Sequence, residues 1–183
     1  MCVRVNKMGD WKKAIAVFEE MKFPLDCDEF EDKIIAQKTI CLLQLKGMNL
    51  NYPFGMYVRG SYSPAFTKDY YDHKQEFKSL SSGSILSDEE KVMVKNLDGL
   101  FLKNAPLLEI GATYAFIVEK TNRTPIEAFR IIKETKGFYR DTQIAKGISK
   151  VKQFLFEPTE KDLEWLKNET GPMQRASIKS MRY

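Results

Sequence analysis

Residues 124–155 read TPIEAFRIIKETKGFYRDTQIAKGISKVKQFL, and this stretch decides the fold class. Thr124, Pro125 and Glu127 form a full helix start: an N-cap oxygen, a proline at the first helical position and a glutamate placed to close a capping box. Gly137 stops that helix. Ile144, Ile148, Val151 and Leu155 then recur at spacings of four, three and four, which is the clearest amphipathic helix in the chain.

The same punctuation continues upstream. Pro106 opens a helix rich in apolar residues (Leu107, Leu108, Ala112, Ala115, Phe116, Val118), which predicts a central, buried position. Ser87 and Glu90 form a capping box before Val92, Leu97, Leu100 and Phe101. Leu80-Ser-Ser-Gly-Ser-Ile-Leu86 is the loosest internal segment, a tight hairpin around Gly83 or a plain linker. Ser63-Pro64 launches a helix with Phe66, Tyr70 and Phe77 near one face. Asp28 and Glu31 stand in a capping-box relation before Phe30, Ile34, Cys41, Leu42 and Leu45, and Gly47 ends that helix. Asp10 caps a first helix over residues 10–22, carrying Trp11, Ile15 and Phe18. A short β element is expected near residues 53–58, with residues 84–86 as its candidate partner. Thr159 and Asp162 cap a last short helix carrying Leu163 and Leu166.

These elements predict a mainly α protein of seven or eight helices. Residues 1–170 are expected to form a single mainly helical domain, with a sub-division near 79–86, and residues 171–183 a basic tail. The 183 residues hold 43% hydrophobic side chains, too many for a disordered polymer and enough for one core. No apolar run approaches the ~20 residues of a membrane span, and no charged and apolar leader stands at the N-terminus. Cys2, Cys27 and Cys41 are sparse and odd in number, the usage of reduced thiols. A cytoplasmic protein without a membrane partner is expected.

The net charge is +4, unevenly spread. Residues 120–152 carry nine basic against three acidic side chains. Such a stretch favours nucleic acid or an acidic partner, or is simply a set of solvated helix faces. Arg130, Lys133, Lys136, Arg140, Lys146, Lys150 and Lys152 form one candidate basic surface. Tyr57, Arg59, Tyr62, Lys68, Tyr70, Tyr71, Lys74 and Lys78 interleave aromatic and basic residues, and Arg59, Lys68, Lys74 and Lys78 form a candidate nucleic-acid face. Asp69, Asp72 and Glu76 share that helix and repel phosphate.

Catalytic chemistry finds little purchase. The cysteines and His73 fall into no zinc-ligand spacing, and His73, the single histidine, lies in a polar helical stretch. Asp26, Asp28, Glu29, Glu31 and Asp32 cluster at a helix start, where acids interact well with the macrodipole. A metal-dependent nuclease using Asp28, Glu31 and Lys33 is the enzymatic alternative. No catalytic residue, metal or cofactor is assigned.

The stretch Gln37-Lys38-Thr39-Ile40-x-Leu42-Leu43, then Gly47, then Tyr57-Val-Arg59-Gly60-Ser61-Tyr62-Ser63-Pro64 resembles uncharacterised bacterial and archaeal proteins of the YwgA type. Those carry a Gln-Lys helix, an aromatic strand and a Tyr-x-x-Gly-Pro-Tyr-Ser-Pro turn; Ser61 stands here where the family has proline. Leu108-Glu109 through Tyr114, Glu127-Ala128 through Lys136 and Ile144-Ala145 extend the likeness over roughly residues 28–155. More distantly the stretch is similar to the SocA and Panacea antitoxin domain. The resemblance implies a winged-helix-like architecture, with residues 1–78 as the winged-helix-like half and 87–170 as the helical half. It implies a non-enzymatic regulatory protein acting through nucleic acid or a protein partner, with a homodimer in keeping. It marks Tyr57, Arg59, Gly60, Tyr62, Ser63 and Pro64 as a motif that is either a site or a fold signature. A protein–protein adaptor or antitoxin-like protein without DNA binding is the alternative.

Overall fold

The computed structural model describes residues 9–155. Eight helices and a two-strand hairpin follow in the order α1 (Trp11–Glu20), α2 (Phe30–Leu45), β1 (Gly55–Tyr57), β2 (Gly60–Tyr62), α3 (Pro64–Asp72), α4 (Lys74–Ser79), α5 (Asp88–Phe101), α6 (Ala105–Lys120), α7 (Pro125–Thr135) and α8 (Asp141–Leu155). The fold is mainly α, as the punctuation predicts. Both full capping boxes form: Ser87 and Thr124 each accept from the N3 amide, and Glu90 and Glu127 reach back to the cap amide. Asp10 accepts from the Lys13 amide at 3.0 Å and starts α1. The expected tail at 171–183 and the expected helix start at Thr159 lie outside the described residues.

Helix α6 is buried almost throughout, from Leu107 to Ile117, and packs against both α2 and α8. Against α8 the approach is close because Gly147 and Gly111 meet there. A Cβ on Gly147 would lie 2.8 Å from Ile110, and one on Gly111 would lie 3.1 Å from the Gly147 carbonyl. Helix α2 is buried continuously from Ile35 to Leu43, and Gln37, Lys38 and Thr39 are buried with it. Core side chains on both sides of the 80–86 connection merge into one cluster.

Three local expectations need correction. The Asp28–Glu31 capping box does not form. Glu29 is the N-cap of α2 and makes no side-chain cap bond. The nearby acids tie the preceding loop instead: Asp32 accepts from the Asp26 amide at 2.9 Å, and Asp26 from the Asp28 amide at 3.0 Å. The β element pairs with the segment directly after it, not with residues 84–86. Val58-Arg59 makes a two-residue turn, and Gly55 faces Tyr62, Met56 faces Ser61 and Tyr57 faces Gly60. The helix launched at Ser63-Pro64 does not run unbroken to Phe77. His73 leaves helical geometry (φ −115°, ψ 35°) and its ring stacks on Trp11 with centroids 3.6 Å apart.

The hairpin does not stand clear of the body. Gly60 and Ser61 of β2 are buried, and β2 lies against α6. Gly60 has φ +86°, and a Cβ there would fall 1.9 Å from the Thr113 hydroxyl on α6. Both the conformation and the space therefore demand glycine. The winged-helix expectation gains no support from this placement.

Candidate functional site

A cleft of about 370 Å³ opens between α2, the hairpin and α3. Phe30, Lys33, Ile34, Gln37 and Lys38 of α2 form one wall, Tyr57, Val58, Arg59 and Tyr62 of the hairpin a second, and Thr67, Tyr70 and Tyr71 of α3 a third. None of these lining residues is acidic; three are cationic and five are aromatic. Eleven large hydrophobic side chains are exposed among the described residues, and four of them (Phe30, Tyr57, Val58, Tyr71) line this one cleft. That concentration sets the cleft apart from scattered surface hydrophobics, which need no explanation.

Two buried polar side chains build the wall of α2. Gln37 accepts from the Ser63 amide at 3.0 Å and donates to the Ser63 carbonyl at 3.1 Å and to the Thr67 hydroxyl at 2.7 Å. Thr67 donates onward to the Tyr62 hydroxyl at 2.7 Å, which leaves the Tyr62 proton available as a donor. Lys38 donates to the carbonyls of Arg59 and Ser61 at 2.7 and 2.6 Å. It thereby staples the hairpin to α2. Only 3% of Lys38 is exposed, and burial pulls its ammonium down to about 8 despite the stabilising charge of Glu109. Tyr70 also lines the cleft; its buried hydroxyl sits beside the Cys27 thiol and makes no hydrogen bond of acceptable geometry.

Behind the hairpin lies a buried carboxylate. Glu109 on α6 is fully buried and accepts from Lys136 at 2.6 Å, with Arg59 at 3.5 Å. Burial, then the charge of Glu109, pushes the Tyr139 hydroxyl up to about 12. Lys38, Arg59 and Lys136 thus share a region with one carboxylate, so positive charge is in excess there.

At the mouth of the cleft the cations are paired with rings. The Arg59 guanidinium lies 4.9 Å from the Phe30 centroid, and the Lys33 ammonium 5.7 Å from the Tyr71 centroid. A hydrogen bond with Tyr71 raises the Lys33 ammonium above its usual range. Tyr57 and Tyr62 meet edge to face at 5.1 Å.

The structure divides the Tyr57–Pro64 motif. Tyr57, Arg59 and Tyr62 line the cleft. Gly60 serves the close approach to α6, and Ser63 and Pro64 start α3, with Ser63 accepting from the Phe66 amide at 3.3 Å. The proposed nucleic-acid face splits as well. Arg59 belongs to the cleft, whereas Lys68 pairs with Asp72 at 2.6 Å, Lys74 with Asp28 at 2.8 Å and Lys78 with Asp26 at 3.2 Å. In the second basic set Lys136 is buried on Glu109 and so is not a surface residue; a lysine is buried here because its charge partner is buried with it. Lys133 pairs with Asp141, Lys150 donates to the Leu100 carbonyl and Lys152 lies over the Tyr114 ring. Arg130, Arg140 and Lys146 are exposed.

Of the nuclease set, Asp28 is engaged by Lys74 and Lys33 by Tyr71. Among the described residues no group of three or more His, Cys, Asp or Glu is placed to hold a metal ion. No helix among them is long and apolar enough to cross a membrane. A larger groove of about 850 Å³ runs along α5 and α8, but Asp88 and Glu89 line it beside Lys46 and Lys95, so it selects neither charge sign. Family models, curated proteins and solved structures yield no match to this chain. The geometry alone therefore carries the functional argument.

Proposed function

We propose that this is a non-enzymatic regulatory protein that binds nucleic acid, and that the cleft between α2, the hairpin and α3 is its working surface. One observation carries the reading: the cleft gathers three cationic and five aromatic side chains with no acid among its lining residues. The lysines of α3 and α4, by contrast, already have carboxylate partners. A phosphate approaching that face would have to displace Asp72, Asp28 or Asp26. A phosphate approaching the cleft meets Lys33, which lies over a ring, and Arg59, which lies over a ring and shares the buried Glu109 with Lys136. Fluorescence anisotropy of labelled oligonucleotides over a salt series tests this. Affinity should fall as salt rises, because phosphate contacts release counterions. Failure of every oligonucleotide to bind at low salt would overturn the reading.

The hairpin tip favours a second reading, a protein adaptor or antitoxin-like partner. Val58 is 96% exposed, and Met56 and Tyr57 beside it are about half exposed. Such an apolar tip fits a protein surface, and binding through it would depend weakly on salt. Val58→Lys would weaken a protein complex, whereas by adding a cation to the rim of the cleft it would raise oligonucleotide affinity.

A further inference from the structure

We infer that the cleft takes an unpaired nucleotide: the flat base stacks on its half-exposed rings, and the backbone phosphate meets Arg59 and Lys33. This rests on the nucleic-acid reading above and narrows it to single strands. The cleft is walled by three elements, so a base that fills it and stacks on its rings must leave its own stack, as an unpaired base does. The cleft, at about 370 Å³, lies near the lower end of the roughly 300–1,000 Å³ range of ligand sites, suited to a small flat group and not to a helix edge. Phe30, Tyr57 and Tyr71 are 55, 52 and 48% exposed, which leaves ring surface for a guest. Each cation lies over a ring at the mouth, so phosphate and base contacts are offered side by side. Inside, the Tyr62 hydroxyl, which accepts from Thr67 at the end of the Gln37–Thr67 relay, offers its own proton to a base edge.

The test compares three labelled probes of equal phosphate number on the full chain: an oligothymidine strand, the same strand with abasic sites, and a duplex. Phe30→Ala and Tyr71→Ala are measured beside wild type, with thermal melting as a folding control; both rings are half exposed, so the variants should fold. The inference expects the oligothymidine strand to bind best, the abasic strand about tenfold more weakly, and each ring variant to lose about tenfold on the strand but little on the abasic probe. Equal binding of strand and abasic probe, or tighter binding of duplex without an effect of the ring variants, overturns the inference while leaving nucleic-acid binding intact. No binding of any probe at low salt overturns both. An acidic tyrosine-containing peptide that binds the cleft where the strand does not would also overturn it, in favour of a protein ligand.

Discussion

Two regions of this molecule hold the same kinds of residue and differ in what faces them. The outer face of α3 and α4 carries Lys68, Lys74 and Lys78, each with a carboxylate within 3.2 Å. The neighbouring cleft carries Lys33, Lys38 and Arg59, which face rings and backbone carbonyls; Lys38 and Arg59 share the buried carboxylate of Glu109 with Lys136. Counting cations would rank the two alike. Counting their partners does not: each outer-face lysine has its own carboxylate, while Lys38, Arg59 and Lys136 share one, so the cleft keeps an excess of positive charge. The lesson is that the charge a basic stretch presents depends on how many carboxylates the fold sets against it.

The comparison can be broken first at Glu109. This carboxylate is buried, holds Lys136 and neighbours Arg59. Removing one partner of a buried ion pair leaves the other uncompensated, so Glu109→Ala should lose about 3–5 kcal/mol of unfolding free energy by urea titration. Asp72→Ala on the outer face should leave the urea midpoint unchanged, as expected of an exposed pair. Equal losses would erase the distinction between the two regions.

Next in size is Gly60→Ala. The new methyl would collide with Thr113 and sit at φ +86°, which should destabilise the chain by about 2–3 kcal/mol. Thr113→Ala in the same chain should recover part of the loss. If Gly60→Ala melts like wild type, the hairpin is not seated on α6 as described.

A smaller effect concerns pH. The Lys38 ammonium ionises near 8 when folded and near 10.5 when unfolded, because burial disfavours its charge. The unfolded chain therefore binds more protons between those values, so this group's contribution to stability rises with pH across that window. Lys38→Met loses the staple at every pH but has no such group. Wild-type stability relative to Lys38→Met should therefore increase from pH 8 to 10.5; a constant difference would contradict a Lys38 ammonium pulled down by burial.

How much of this was legible in the chain follows the range of the interactions. The starts of α5 and α7 were readable because Ser87–Glu90 and Thr124–Glu127 close their bonds within three residues. Asp28 and Glu31 mimicked such a box, but the loop before α2 offered its acids other amides. The break at His73 coincides with its stacking on Trp11, far away in sequence, and no local pattern announces it. The cleft was half legible. Tyr57, Arg59 and Tyr62 stood in one motif, and Gln37-Lys38 in another. Phe30 read as part of an apolar stripe, Lys33 as part of the nuclease alternative with Asp28 and Glu31, and their meeting with Tyr71 is purely tertiary. Lys136 read as surface because lysine usually is; only the fold reveals Glu109 beneath it.

The most direct measurement of the central claim is single-strand affinity at low salt for two charge-removal sets. One set is Lys33→Gln with Arg59→Gln in the cleft, and the other is Lys68→Gln with Lys74→Gln and Lys78→Gln on the outer face. Each neutralised phosphate contact should also lower the salt slope by about 0.7. If the cleft is the working surface, the first pair weakens binding at least tenfold and flattens the salt dependence, while the second set leaves both nearly unchanged despite removing more charge. A greater loss from the outer-face set would contradict the account.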